Sequence, residues 1–240
     1  MQRRTFLQST LAIAPFLGQP LTGNSQPKTG EPAPVIINAG VGGNNTVDLL
    51  ARIDKDCLAQ QPELTILMVG TNDVNSKKHV PLPDYERNLR TICTRLTAIR
   101  SEVMLMTILP VYEPYLMTRH DPAFYKPEGH MARKMAMNDV IRKVAADTHS
   151  SLLDMHHIFE TVGNIGLDAS SLIKNEANSH KTDGIHPTPD GYRTMAVAVY
   201  TFLVQRQLLK NRIVCFGDSI THGDGEGRNY PAYLQKLVAA

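Results

Sequence analysis

From residue 35 onward, short apolar runs alternate with stretches of helical periodicity, and few architectures accept that order. Val35-Ile36-Ile37-Asn38, Leu64 to Val69, Val103 to Leu109, Ser151 to Asp154 and Arg212 to Phe216 read as strands. Val47 to Gln60, Asp84 to Arg100, Met131 to Thr148, Thr188 to about Leu209 and Tyr230 to Ala240 read as helices. In the second of these, Leu89, Ile92, Leu96 and Ile99 share one face. Continuous apolar strands separated by helices predict an α/β domain whose parallel sheet is covered on both faces. Tyr112 to Glu128 shows no clear period and reads as a loop. A chain of 240 residues can build one such domain, not comfortably two, and no internal repeat is visible.

The first thirty residues have a different character. Arg3 and Arg4 precede Thr5-Phe6-Leu7, and a modest apolar stretch follows from Leu11 to Leu17. This pattern is that of a twin-arginine export signal. Gln19 to Pro34 is rich in Pro, Gly, Asn and Thr and reads as a linker. The expected organisation is therefore an export signal and linker over 1–30 and one α/β domain over 31–240, in an exported protein.

Charge and cysteine use narrow the classes. The formal net charge is +2, with no basic stripe of the kind nucleic-acid binding needs. No apolar run is long enough to span a bilayer. Cys57, Cys93 and Cys215 form an odd set without zinc-ligand spacing. One disulfide is possible but not required, and Cys215, inside an apolar run, suits a small buried hydrophobe.

In parallel sheets, ligands bind beyond the carboxyl ends of the strands. Three strand ends carry unusual residues. The last strand runs into Gly217-Asp218-Ser219-Ile220, the first into Gly40-Val41-Gly42-Gly43-Asn44, and the second into Gly70-Thr71-Asn72-Asp73. Asp183-Gly184-Ile185-His186-Pro187 lies far from all three in sequence. Acyl transfer needs a nucleophile, a base, a group orienting that base, and donors for the developing oxyanion. Ser219 on a strand-to-helix turn can be the nucleophile. His186 can be the base, with Asp183 three residues earlier reaching its other ring nitrogen. Gly43 can offer an unobstructed N–H, although it could serve the turn alone or do both. Asn72 can offer an amide or cap the next element. Asp73 suits capping or loop bracing, and Asp218 suits bracing of the nucleophile turn.

Together these segments resemble the sequence blocks of the SGNH (GDSL-type) hydrolase superfamily. Gly217-Asp218-Ser219 with Gly223 is similar to the first block and Asn38-Ala39-Gly40-Val41-Gly42-Gly43 to the second. Gly70-Thr71-Asn72-Asp73 is similar to the third and Asp183-Gly184-Ile185-His186-Pro187 to the fifth. The resemblance covers about Val35 to Ala240. It implies a Ser219–His186–Asp183 triad and an oxyanion hole of the Ser219 and Gly43 amides with Asn72. It implies no cofactor or metal, and a small-molecule or carbohydrate ester as substrate. The first block stands last here, so the order is circularly permuted, with Lys210-Asn211 joining the family's usual ends. The family's flavodoxin-like three-layer sandwich has strand order 2-1-3-4-5. A five-stranded parallel sheet is therefore expected, with the last strand between the first and second. Lipase, thioesterase and inactive glycan-binding roles are the alternatives.

The remaining polar residues suggest less. Asp154-Met155-His156-His157 lacks a third metal ligand at a recognisable spacing and is expected to end the fourth strand. His222 is expected to line the pocket at most. His79, His120, His130, His149 and His180 are expected in loops or on the surface. Met104, Met106, Met131, Met135 and Met137 are expected to pack in the core.

Overall fold

A computed structural model describes residues 33–240; the expected export signal and most of the expected linker lie outside the described residues. Five strands follow in chain order: β1 (Val35–Gly40), β2 (Leu64–Met68), β3 (Glu102–Met106), β4 (Ser151–Leu153) and β5 (Arg212–Gly217). The helices are α1 (Thr46–Asp56), α2 (Thr71–Val74), α3 (Leu82–Ala98), α4 (Glu113–Leu116), α5 (His130–Asp147), α6 (Met155–Val162), α7 (Glu176–Ser179), α8 (Pro189–Gln205), α9 (Ser219–His222) and α10 (Tyr230–Val238). All strands pair in parallel in the order β1-β5-β2-β3-β4. The last strand thus lies between the first and the second, as the sequence predicts.

The sheet sorts its side chains with the period-two alternation of a pleat. Leu64, Ile66, Met68, Met104, Met106, Ile213 and Cys215 face one core, which Phe159 of α6, Met195 and Val199 of α8 and Leu234 of α10 complete. Leu67, Val103, Leu105, Val214 and Phe216 face the other, with Leu49 and Ile53 of α1, Leu89 and Ile92 of α3, and Ile141 and Val144 of α5. These are the three expected layers. Central β2 is buried along its whole length, which explains why its sequence is apolar throughout rather than alternating. Cys57, Cys93 and Cys215 are buried free thiols.

Local signals fix where elements start and stop. Asn45 caps α1: its side chain accepts from the Asp48 amide, and the Asp48 carboxylate accepts from the Asn45 amide. Such a cap stabilises by about 1 kcal/mol. Two side-chain amides finish the sheet. Asn138 exchanges both hydrogen bonds with the backbone of Ile108, at 2.8 and 3.2 Å. It takes the place of a strand partner beyond the three-residue β4, so β3 ends at Met106 rather than at the predicted Leu109. At the outer edge, Gln235 accepts from the Ile36 amide and donates to the Pro34 carbonyl, at 2.8 and 2.9 Å. That contact occupies part of an edge that could otherwise pair with another chain.

Four expectations need correction. Asp154 does not end β4; it accepts from the His157 amide as N-cap of α6, whose buried residues are Met155, His156 and Phe159. The segment from Tyr112 to Glu128 is not all loop, since it holds α4 and a single 3₁₀ turn, Pro122–Tyr125. His130 is buried at the start of α5, against the edge of the Tyr125 ring. Met131 is exposed rather than packed.

Candidate active site

The four segments meet at the carboxyl ends of β1, β5 and β2. β5 delivers Gly217, then Asp218 caps α9 by accepting from the Ile220 amide at 2.9 Å. Ser219 is the first residue of that helix and is half-buried. Its Oγ lies 3.0 Å from His186 Nε2. On the other side of the ring, Nδ1 is 3.0 Å from both Asp183 carboxylate oxygens. A carboxylate can only accept there, so Nδ1 carries the proton and Nε2 is left to accept from the Ser219 hydroxyl.

Asp183 is held by its own loop. Its Oδ1 also accepts from the Ile185 and His186 amides, at 3.0 and 2.9 Å. Burial works to raise its pKa; the His186 ring and these two amides outweigh it and hold the carboxyl well below the usual range. The loop is fixed by antiparallel contacts with residues 172–174. The Lys174 amide donates to the His186 carbonyl and the Gly184 amide donates to the Lys174 carbonyl, both at 2.9 Å. The buried Lys174 ammonium pairs with Asp224, just beyond α9. Arg119 donates to the Thr182 and Asp183 carbonyls from the other side.

The remaining predicted residues come from the first two strand ends. Gly40 closes β1 so tightly against α9 that a Cβ there would meet the His222 backbone nitrogen at 2.2 Å. The chain then turns through Gly43, at φ +74, where glycine carries no steric penalty. The amides of Gly43 and Ser219 have no protein acceptor among the described residues. Asn72, in α2 after β2, donates from Nδ2 to the Asn44 carbonyl at 2.8 Å and retains a second N–H. Asp73 braces: it is fully buried and accepts from the Thr46 amide and hydroxyl at 3.0 and 2.5 Å. His222 is exposed and borders a groove of about 580 Å³ along β1 and α10.

Motif reading missed the residues that hold the segments together. Lys174, Asp224 and Arg119 lie in stretches without a recognisable pattern. Arg52 carries a faint signal: it sits three residues after Leu49 and one before Ile53, beside the apolar stripe of α1, where a charge needs a partner.

Burial also favours the neutral form of two carboxyls on the floor of the site. It pushes the Asp218 carboxyl up to about 7 and that of Asp73 up to about 6. An acid whose folded pKa exceeds its unfolded value binds its proton preferentially in the folded state. Stability therefore falls as pH rises from about 4 through about 7. Asp218→Asn is expected to flatten that fall and to raise Tm at pH 8 by about 2–4 °C per kcal/mol recovered, with little change at pH 4. Calorimetry across this range checks it; a variant with the same pH slope as wild type would refute it.

The sequence model of the GDSL-like lipase/acylhydrolase family matches residues 16–194. The chain belongs to this family. The match stops short of β5 and Ser219. An acetylxylan esterase from Geobacillus stearothermophilus is 29% identical over 136 residues, covering 53% of this chain and 57% of the esterase. The chain thus spans little more than half the length of that relative. An uncharacterized lipoprotein, YqeF, from Bacillus subtilis (strain 168) is 29% identical over 188 residues, covering 73% of this chain and 74% of the lipoprotein. Among solved structures, the acetyl xylan esterase AlAXEase superposes with TM-score 0.53 at 22% identity, over 69% of this chain and 79% of its own. No helix among the described residues is long and apolar enough to cross a membrane.

Proposed function

We propose that the protein is a serine ester hydrolase in which Ser219, His186 and Asp183 form the catalytic triad and the Ser219 and Gly43 amides with Asn72 form the oxyanion hole. The observation that carries this reading is the unbroken contact from the Ser219 hydroxyl through the imidazole to the carboxylate, each step at 3.0 Å. Its residues come from segments more than thirty positions apart, in a chain of the acylhydrolase family.

The chemistry is two-step acyl transfer. Ser219 Oγ attacks the ester carbonyl carbon while its proton passes to His186 Nε2, and the carbonyl oxygen becomes an oxyanion facing the three donors. The C–O bond to the alcohol then breaks, and the alcohol leaves with the proton from Nε2. Water, deprotonated by the same nitrogen, attacks the acyl-serine and releases the carboxylic acid. Asp183 stabilises the imidazolium at both steps and remains a carboxylate.

The substrate we assign is an acetyl ester on carbohydrate, which the name of the 29%-identical acetylxylan esterase supports. Export fits such a substrate, since an acetylated polysaccharide lies outside the cell. Arg3-Arg4 and the lipoprotein relative support export. The block order is read as a circular permutation of the family. A panel of aryl esters of increasing chain length, run beside acetylated xylan, tests the substrate. Acetate release from the polysaccharide and a rate that falls from acetyl to octanoyl are expected. A preference for long chains would overturn the carbohydrate reading and favour a lipase or thioesterase.

A further inference from the structure

We propose that Arg52 is a positioning residue that sets both oxyanion donors, Gly43 and Asn72, relative to Ser219, and that it acts through Asn44. The inference rests on the esterase reading above.

α1 carries the Arg52 guanidinium inward, where its side chain is 15% exposed and lies over the Phe216 ring, 4.6 Å from the centroid. Nε donates to Asn44 Oδ1 at 2.6 Å, and Nη2 donates to the Gly217 carbonyl at 2.7 Å. Nη1 donates to the Ala39 carbonyl at 2.9 Å and to Asp56 Oδ2 at 3.1 Å. One planar fork thus ties the end of β1, the end of β5 two residues before the nucleophile, and the loop after β1.

Asn44 passes the position on. It follows Gly43 in the chain, and its carbonyl accepts from Asn72 Nδ2 at 2.8 Å. Fixing Asn44 therefore fixes a covalent neighbour and a hydrogen-bonded partner together. Asn45, the next residue, is tied down by its cap on α1 and by its bond to the Lys78 carbonyl, but no side-chain hydrogen bond among the described residues reaches Gly42 or Gly43. Among the described residues no atom lies within 4 Å of where a Cβ on Gly42 or Gly43 would stand, so no side-chain packing on that side positions them. Within the loop, the backbone bonds are Val41 to Gly217 at 3.1 Å and Asn44 to Val41 at 3.3 Å. Oxyanion donors act only if they are already aimed when charge develops, and a misplacement near 1 Å can cost about 100-fold. Lysine cannot replace this fork, because a point charge cannot reach Asn44 and both strand-end carbonyls at once.

Two variants separate aiming from stapling. Asn44→Ala removes the side chain that links the fork to the loop and leaves the bonds from Arg52 to Ala39 and Gly217. Arg52→Lys disturbs both. With p-nitrophenyl acetate, each is expected to lower kcat by roughly 10- to 100-fold with KM within about threefold. Asn44→Ala should keep a wild-type Tm. Phenylboronic acid, a tetrahedral mimic on Ser219, should bind more weakly by about the same factor as kcat. The double variant should be little worse than the worse single one. Wild-type kcat in Asn44→Ala would overturn the proposal, as would a kcat loss with unchanged boronate affinity. If Arg52→Lys does not fold, Asn44→Ala alone decides. Ser219→Ala, assayed in parallel, reports separately on the esterase reading: activity surviving there would sink that reading first.

Discussion

Ser219→Ala will lower the turnover of p-nitrophenyl acetate by roughly 10⁴–10⁶-fold and leave the fold intact. The size follows from the work assigned to one oxygen atom. Without it there is no acyl-enzyme, and what remains is attack by water on an ester held beside the oxyanion donors, which retains a residual advantage over solution of about 10³–10⁴. The fold should not notice the loss. Among the described residues Ser219 Oγ has one hydrogen-bond partner, His186 Nε2, and the residue is half-buried. The turn is held instead by the Asp218 carboxylate on the Ile220 amide and by the Gly223 amide on the Ser219 carbonyl, neither of which involves the hydroxyl. Tm is expected to shift by no more than about 2 °C. A fluorophosphonate probe should label wild type and not the variant. Turnover within tenfold of wild type would show that the nucleophile is elsewhere.

Asp183→Asn should cost about 10⁴ in kcat, and the cause would be a proton on the wrong nitrogen. The wild-type carboxylate accepts from His186 Nδ1 and from the Ile185 and His186 amides. Asparagine can keep its oxygen on the two amides, so the loop should keep its shape. Its NH₂ then faces Nδ1, which must become the acceptor. The ring proton moves to Nε2, and a protonated Nε2 cannot take the proton of Ser219. Two measurements test this chain of cause. Steady-state kinetics gives the size of the loss, and ¹⁵N chemical shifts of the imidazole report which nitrogen is protonated. A variant that retains turnover within about tenfold of wild type, or loses it with Nδ1 still protonated, would refute the orienting role.

β2, β3 and β5 were legible because they are buried on both faces, so their runs of Val, Ile, Leu and Met stand out without reference to periodicity. The position of β5 was legible for a different reason: the block carried by Ser219 implied a place in the sheet, and the pairing of Phe216 with both Ala39 and Leu67 matches it. The Ser219–His186–Asp183 contact was offered by residue types at the strand ends and implied by the resemblance to the SGNH blocks. Shorter features escaped. α6 has only eight residues, and His156 hid its apolar face by being both polar in sequence and buried in fact, with Nδ1 at 3.0 Å from the Ile108 carbonyl. His130 looked like a loop residue because the Tyr125 ring that covers it comes from a segment without a period. Arg52, Lys174 and Asp224 escaped for a shared reason. Each joins parts of the chain that become neighbours only once the sheet has formed, so even the charge of Arg52 beside the apolar stripe of α1 does not name its partners.

The placement of β5 also dictates a timetable. A ribosome makes residues 212–217 after the other four strands, yet their slot is near the middle of the sheet. Until they emerge, β1 and β2 flank a gap, both cores lack a wall, and the hydroxyl that would attack the ester has not yet been synthesised. On the proposed assignment the nascent chain has no nucleophile until residue 219 is made, so closure of the sheet and arrival of the reactive hydroxyl fall within a few residues of each other.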